Sequence, residues 1–189
     1  MRGLLERSRP ALLLGVTLVA VTAAVAHAEG IVAVDPEFSS VNPAGHATVA
    51  IMYDANGATV GMRGYHLVVS FDHELILIDN PGVDVREGDL LKDVGSTLFF
   101  VEQPDAHTVV IDCAILGSTG GATTSGDLCS ITFLGQETEP GVSPVHFSDS
   151  ALRDPVNDPI EHSTLDGEIT LTSSGVTMTE WSSIKALYR

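Results

Sequence analysis

Alternation of apolar and polar residues, interrupted by turn residues, runs through most of this 189-residue chain. In residues 65–71 every second residue is large and apolar, and the same pattern recurs in residues 46–53 and 108–116. Successive side chains of a strand point to opposite faces, so a period of two indicates strands with one buried face. No stretch before residue 176 repeats every 3.6 residues for more than two turns. The pattern therefore predicts an all-β fold.

Nine segments carry this alternation or a compact apolar run. They are residues 31–34, 46–53, 65–71, 75–78, 97–102, 108–116, 128–134, 144–147 and 168–171. Breaks such as Asn56-Gly57 and Asn80-Pro81-Gly82 separate them and are typical of turns. Short strands at spacings near ten residues indicate a sandwich or barrel. We expect one domain over residues 29–172, with a single helical turn at residues 88–91.

The first 28 residues differ from the rest. Three arginines precede an uncharged apolar run over residues 11–25, and Ala26 and Ala28 supply the small residues that a signal peptidase reads. This is the pattern of a secretory signal peptide. An uncleaved anchor is the alternative, although a spanning helix needs about 20 apolar residues. We predict a signal peptide over residues 1–28, a secreted or cell-surface mature chain, and no transmembrane segment in that chain.

The charge of the predicted mature chain excludes some classes of partner. It keeps 24 of the 25 acidic residues and six of the nine basic ones, which gives a net charge of −18. Nucleic-acid binding needs a basic footprint. Docking on anionic lipid through a polybasic patch needs one as well. The sequence therefore predicts neither kind of partner.

Cys113 and Cys129 are the two cysteines, and both fall on the apolar side of an alternating strand. Both are therefore expected to face inward. In a secreted protein such a pair predicts a buried disulfide. Two small buried hydrophobic residues that never form a bond are the alternative.

Residues 173–189 form a polar linker followed by a short tail. The tail has apolar residues spaced for one helical face, namely Trp181, Ile184, Leu187 and Tyr188. One interpretation is a helix packed on the sandwich or a frayed end. The other is a detachable tag for sorting or surface attachment.

Motifs for catalysis are missing from the sequence. It contains no G-x-S-x-G elbow, no H-E-x-x-H and no phosphate-binding loop, so we predict that the protein is not an enzyme and needs no cofactor. Calcium is the one ion worth considering, because it accepts oxygen ligands alone. The weak candidates for such a site are Asp149, Asp154, Asn157 and Asp158, and a solvated acidic loop is the alternative.

The order of several segments resembles the cohesin family. Residues 64–72 read GYHLVVSFD and precede Leu75, residues 85–91 read VREGDLL, residues 126–133 read GDLCSITF, and residues 166–171 read DGEITL. These are similar to the alternating strand, the Gly-Asp-Leu turn and the terminal D-G-x-I strand of cohesins. The resemblance covers about residues 31–172.

The resemblance implies a nine-stranded jelly-roll β-sandwich that acts as a non-catalytic receptor. Cohesins bind dockerin modules and so assemble secreted polysaccharide-degrading enzymes on scaffolds or cell surfaces. The family receives its partner on an exposed sheet face, and a plain solvent-facing sheet is the alternative here. The outward residues on the corresponding strands are His66, Val68 and Ser70, with Val110, Asp112 and Ala114.

Two other functions remain open from the sequence. A carbohydrate-binding module on the same fold needs a row of exposed aromatic side chains, but Tyr53 and Tyr65 are expected to face inward. Polysaccharide is therefore the less favoured partner, behind an extracellular protein. The other possibility is a structural envelope protein that its C-terminal tail tethers.

Overall fold

Two β-sheets face each other in the computed structural model, which describes residues 30–117 and 120–173. In chain order the strands are β1 (Gly30–Asp35), β2 (Phe38–Val41), β3 (His46–Asp54), β4 (Gly64–Phe71), β5 (Ile76–Leu77), β6 (Val85–Glu87), β7 (Thr97–Asp105), β8 (Thr108–Ile115), β9 (Gly126–Gly135), β10 (Gly141–Arg153), β11 (Pro159–Ile160), β12 (His162–Leu165) and β13 (Gly167–Leu171). The predicted signal peptide and the tail residues Trp181, Ile184, Leu187 and Tyr188 lie outside the described residues.

The strands divide into a six-stranded and a seven-stranded sheet. The first runs β12-β1-β3-β9-β5, with β6 also paired to β9. The second runs β2-β13-β10-β4-β8-β7, with β11 paired to β10. Pairing is antiparallel except between β1 and β12 and between β2 and β13. The predicted all-β sandwich is confirmed.

Two single helical turns flank β6 in the chain, one before it and one after it. They are α1 (Pro81–Asp84) and α2 (Asp89–Lys92), and α2 is the turn that the sequence predicts. Leu90 and Leu91 of α2 are buried against β9. Within the described residues no helix is long and apolar enough to cross a membrane.

Side chains from the inner faces of both sheets make one apolar core. Leu67 and Val69 of β4 and Ile131 of β9 have no exposed surface. Phe71 and Phe133 meet across the two sheets, edge to face, with ring centroids 5.2 Å apart, a geometry that aromatic pairs favour. The alternation that indicated strands in the sequence is therefore the alternation between this core and the solvent.

All nine predicted segments contain strands, but four further strands are absent from the prediction. These are β2, β6, β11 and β12, of two to four residues each. They are too short to display a period of two, and β12 reads His-Ser-Thr-Leu. Their pairing depends on longer neighbours, which a local pattern does not show.

The predicted disulfide is corrected by the structure, in which Cys113 and Cys129 are both buried and free. Cys113 lies on β8 of one sheet and Cys129 on β9 of the other. A free cysteine behaves in a core as a small hydrophobic residue, so an inward orientation alone does not imply a bond. The Cys113 thiol instead donates to the Glu87 carboxylate over 3.5 Å.

Burial holds both cysteines in the thiol form. It raises the pKa of Cys113 to about 12, and the neighbouring Glu87 carboxylate adds to the rise. Burial also raises the pKa of Cys129 and that of Tyr65, whose hydroxyl donates to the Leu128 carbonyl across the core over 2.7 Å. An ionised form of any of these groups is disfavoured inside the sandwich.

We predict that Phe133→Ala lowers the free energy of unfolding by about 3–5 kcal/mol, because it removes a buried ring and leaves a cavity. Phe100→Ala is the matched control, because that ring is 54% exposed, and its effect should stay within about 0.5 kcal/mol. Urea denaturation followed by circular dichroism measures both. Equal losses would contradict this account of the core.

We also predict that stability falls as pH rises above 9.0, the ordinary pKa of the two thiols. Unfolded thiols lose protons there while the folded ones keep theirs. The folded state then binds more protons, and the free energy of unfolding drops by at most about 1.4 kcal/mol per pH unit for each thiol.

Urea denaturation under reducing conditions at pH 8 and pH 10 measures this slope. The double variant Cys113→Ala/Cys129→Ala has the same charge at pH 8 and should show a shallower loss between the two values. If both proteins lose the same stability, the thiols are not responsible.

Candidate functional site

Four neighbouring strands, β10, β4, β8 and β7, present the outward face of the seven-stranded sheet. Their inward residues are buried on β10, β4 and β8 and partly buried on β7, so the residues between them face solvent. Backbone pairing aligns these outward residues in rows across the strands. In the order β10, β4, β8 and β7, the first row is Arg153, Gly64, Ala114 and Leu98, the second is Ala151, His66, Asp112 and Phe100, and the third is Asp149, Val68, Val110 and Glu102.

The residues predicted from the sequence to form the partner-binding face all lie on this outward surface. The register places His66 opposite Asp112 and Val68 opposite Val110, while Ala114 lies opposite Gly64. Ser70 pairs with Thr108 beyond the third row. Ala114 is exposed and the other five predicted residues are half-buried. The structure thus gathers four of the six as direct cross-strand neighbours.

A groove of about 680 Å³ runs over the first two rows. Its floor has small residues at its centre, because Gly64, Ala114 and Ala151 have little or no side chain. One wall is made by Leu98 and Phe100 of β7, whose side chains are 62% and 54% exposed. The opposite wall is formed by Arg153 and the loop that follows it. The groove therefore results from small side chains at its floor and larger side chains at its walls, all on one sheet.

Gly64 is required by the sheet as well as by the groove. A Cβ atom at this position would lie 2.9 Å from the carbonyl oxygen of Cys113 on β8. A side chain here would therefore push β4 away from β8 and fill the floor of the groove at the same time.

A polar pair occupies the middle of the face. His66 Nδ1 lies 2.7 Å from Asp112 Oδ1, and His66 Nε2 lies 4.0 Å from Asp149 Oδ2. Because an ionised carboxylate only accepts hydrogen bonds, Nδ1 donates to Asp112. Such a partly exposed pair contributes at most about 1 kcal/mol to stability. The fold therefore does not depend on it, and it is free to contact a partner.

A β-bulge in β10 determines which residues of that strand reach the face. The register with β4 shifts between Phe147 and Asp149, which leaves Ser148 as an extra residue. Before the bulge Phe147 is buried, and after it Leu152 is buried while Arg153 is exposed. The extra residue exchanges the inward and outward positions of the strand end, and so brings Arg153 to the groove.

The candidate calcium ligands do not assemble into a site. Asp149 lies on β10, with its Oδ2 4.0 Å from His66 Nε2. Asp154 Oδ1 accepts the backbone N–H groups of Val156 and Asp158 at 2.9 and 2.8 Å, so this carboxylate closes its own loop, in which Asn157 has a φ of +70°. Over the residues that the structure describes, no group of three or more His, Cys, Asp or Glu side chains could hold a metal ion.

Exposed aromatic side chains do not form a row in the described part of the chain. Tyr53 and Tyr65 are buried, as the alternation predicts. Phe38 and Phe100 are exposed, but they lie on β2 and β7, the two opposite edges of the seven-stranded sheet. Their separation argues against the flat aromatic platform that a polysaccharide chain stacks on.

Sequence reasoning missed Leu98, Phe100 and Arg153, which form the walls of the groove. The alternation in residues 97–102 would have shown that Leu98 and Phe100 share a face, opposite to that of Phe99 and Val101. It would not have shown which face is exposed, because all four are apolar. No local signal reveals Arg153, since its orientation depends on the bulge.

No family model matches this sequence, and no curated protein matches it. Several solved protein structures, however, match this chain. A type I cohesin–dockerin complex from Clostridium thermocellum contains a chain that is 15% identical, with a TM-score of 0.60, covering 76% of this chain and 99% of that chain.

Two other solved structures are similar. The seventh ScaB type I cohesin from Pseudobacteroides cellulosolvens is 16% identical, with a TM-score of 0.62, covering 78% of this chain and 94% of that chain. A non-cellulosomal cohesin from the hyperthermophilic archaeon Archaeoglobus fulgidus is 17% identical, with a TM-score of 0.58 and the same two coverages, 78% and 94%. At these identities the likeness is one of fold, and the described part of the chain has the cohesin fold.

Proposed function

We propose that the chain is a secreted, non-catalytic binding module that holds a dockerin-type protein on the outward face of β10, β4, β8 and β7. In this role it would serve a polysaccharide-degrading or surface assembly. Secretion is supported by the pattern of residues 1–28, with three arginines, an apolar run and a small-residue cleavage site. The cohesin fold supports the class of partner, because solved neighbours include cohesin–dockerin complexes.

The observation that carries the proposal is the groove with its small-residue floor and apolar wall. Leu98 and Phe100 leave more than half of their side chains in water, although neither is needed by the core. Covering them would gain about 25 cal/mol for each Å² of apolar surface removed from water. The polar pair of His66 and Asp112 lies beside them and would supply directional contacts. An apolar centre with polar groups around it is the anatomy of a protein interface.

The test is direct binding of the full chain to the dockerin modules encoded in the same genome, measured by isothermal titration calorimetry. We expect at least one to bind at micromolar concentration or better. Phe100→Asp should weaken that binding at least tenfold, because it places a charge on the apolar wall. Phe38→Asp is the matched control, since Phe38 is 65% exposed on the same sheet at its far edge.

The proposal fails if no dockerin module binds at micromolar concentration. It also fails if the Phe38 and Phe100 variants weaken binding equally, since the site would then not be the groove. Thermal unfolding of each variant shows whether a loss of binding reflects a loss of folding.

A further inference from the structure

Arg153 is distinguished from the other basic residues that the structure describes by having no partner. Lys92 pairs with Asp89 over 3.1 Å, and Arg86 donates to the Val83 carbonyl over 3.2 Å. Arg63 donates to three backbone carbonyls, those of Ile115, Pro155 and Gly117. Within the described part of the chain the Arg153 guanidinium makes neither an ion pair nor a hydrogen bond.

The backbone around Arg153 is held firmly, although its side chain is not. Its carbonyl oxygen accepts the Arg63 N–H over 2.7 Å. Its strand neighbours are Gly64 on one side and Pro159 on the other. Because Gly64 has no side chain, nothing on the adjacent strand shields the guanidinium from the groove. The Arg153 backbone is thus fixed at the groove wall, while its guanidinium is free to turn towards a partner.

We propose that the protein bound in the groove presents an Asp or Glu carboxylate to Arg153, next to an apolar side chain seated over Gly64 and Ala114 against Leu98. This inference rests on the proposed function, in that it assumes that a protein covers the groove. It adds which side chains the partner must present, and it specifies that the acidic one lies at the Arg153 end of the face.

Desolvation is the first reason for a carboxylate. A partner that covers the groove removes water from Arg153. A guanidinium left without an acceptor in a dry interface is strongly disfavoured. A carboxylate removes that penalty most completely, because its two oxygens match the parallel N–H groups of arginine.

The geometry of the first row supports an apolar neighbour for this carboxylate. Arg153 and Leu98 lie on β10 and β7, three strand spacings or about 14 Å apart. Only Gly64 and Ala114 lie between them. An α-helix with its side chains is about 10–12 Å wide. One helix laid along the strands would touch both walls, so it must be apolar towards Leu98 and acidic towards Arg153.

The other charged residues on the face favour the first row as the place where the partner's carboxylate binds. Asp112 lies in the second row, and Asp149 and Glu102 lie in the third. A partner carboxylate placed over those rows would meet like charge, which disfavours that placement. At the first row it meets Arg153, with Arg63 also lining the groove. The one acid of the groove lining at that end, Asp154, already accepts two backbone N–H groups of its own loop. This difference in charge between the first row and the other two predicts that the partner lies with its carboxylate at the first row.

The first experiment measures binding of a dockerin module that the full chain recognises. We expect Arg153→Glu to weaken binding at least tenfold and Arg153→Gln to weaken it less. Arg86→Glu should have no effect, because that residue lies on β6 of the other sheet. If Phe100→Asp abolishes binding while Arg153→Glu leaves it unchanged, the proposed function stands and this inference is wrong.

The second experiment does not require a dockerin. A phage-displayed library of random helical peptides is selected against the wild-type full chain and, separately, against Arg153→Glu. We expect Asp or Glu beside Leu, Ile or Phe to be enriched on the wild type, despite its negative net charge, and lost on the variant. Such enrichment would support the inference even if every dockerin failed to bind. Selection without an acidic preference on the wild type, or with the same preference on both proteins, would overturn it.

Discussion

Burial of every second side chain between the two sheets is the constraint on which the rest of the molecule depends. Leu67, Ile111 and Ile131 meet in the core with no exposed surface, and each fixes the register of its strand. A slip by one residue would carry a whole set of apolar side chains into water. The outward positions are therefore fixed by the inward ones, and the candidate site inherits its geometry from the core.

The groove needs no insertion, lid or extra domain. It is made by placing Gly64, Ala114 and Ala151 where neighbouring strands bring them together, and by leaving Leu98 at the edge. Side chains stand nearly perpendicular to a sheet, so a local difference in their length becomes a difference in surface height. A groove of this kind is as rigid as the sheet that carries it.

Sequence reasoning predicted the all-β sandwich and the orientation of β4 and β8, because a period of two reports on exposure directly. It could place His66 and Asp112 on outward faces, but it could not show that they lie opposite each other, since pairing is a property of two distant segments. The same limit applies to Cys113 and Cys129. Alternation shows that both point inward, but it does not show whether the two sulfur atoms come within bonding distance across the core.

The bulge at Ser148 has a consequence for how such a surface could change over time. Beyond this residue the outward set of β10 includes Ala151 and Arg153, and the inward set includes Leu152. Removing a single codon here would exchange the two sets, so that a cation would enter the core and a leucine would enter the groove. Substitutions at the face can be made one at a time, whereas a change in strand length alters all positions beyond it together. The groove wall at Arg153 can thus change gradually through substitutions, but it cannot change gradually through insertions or deletions in β10.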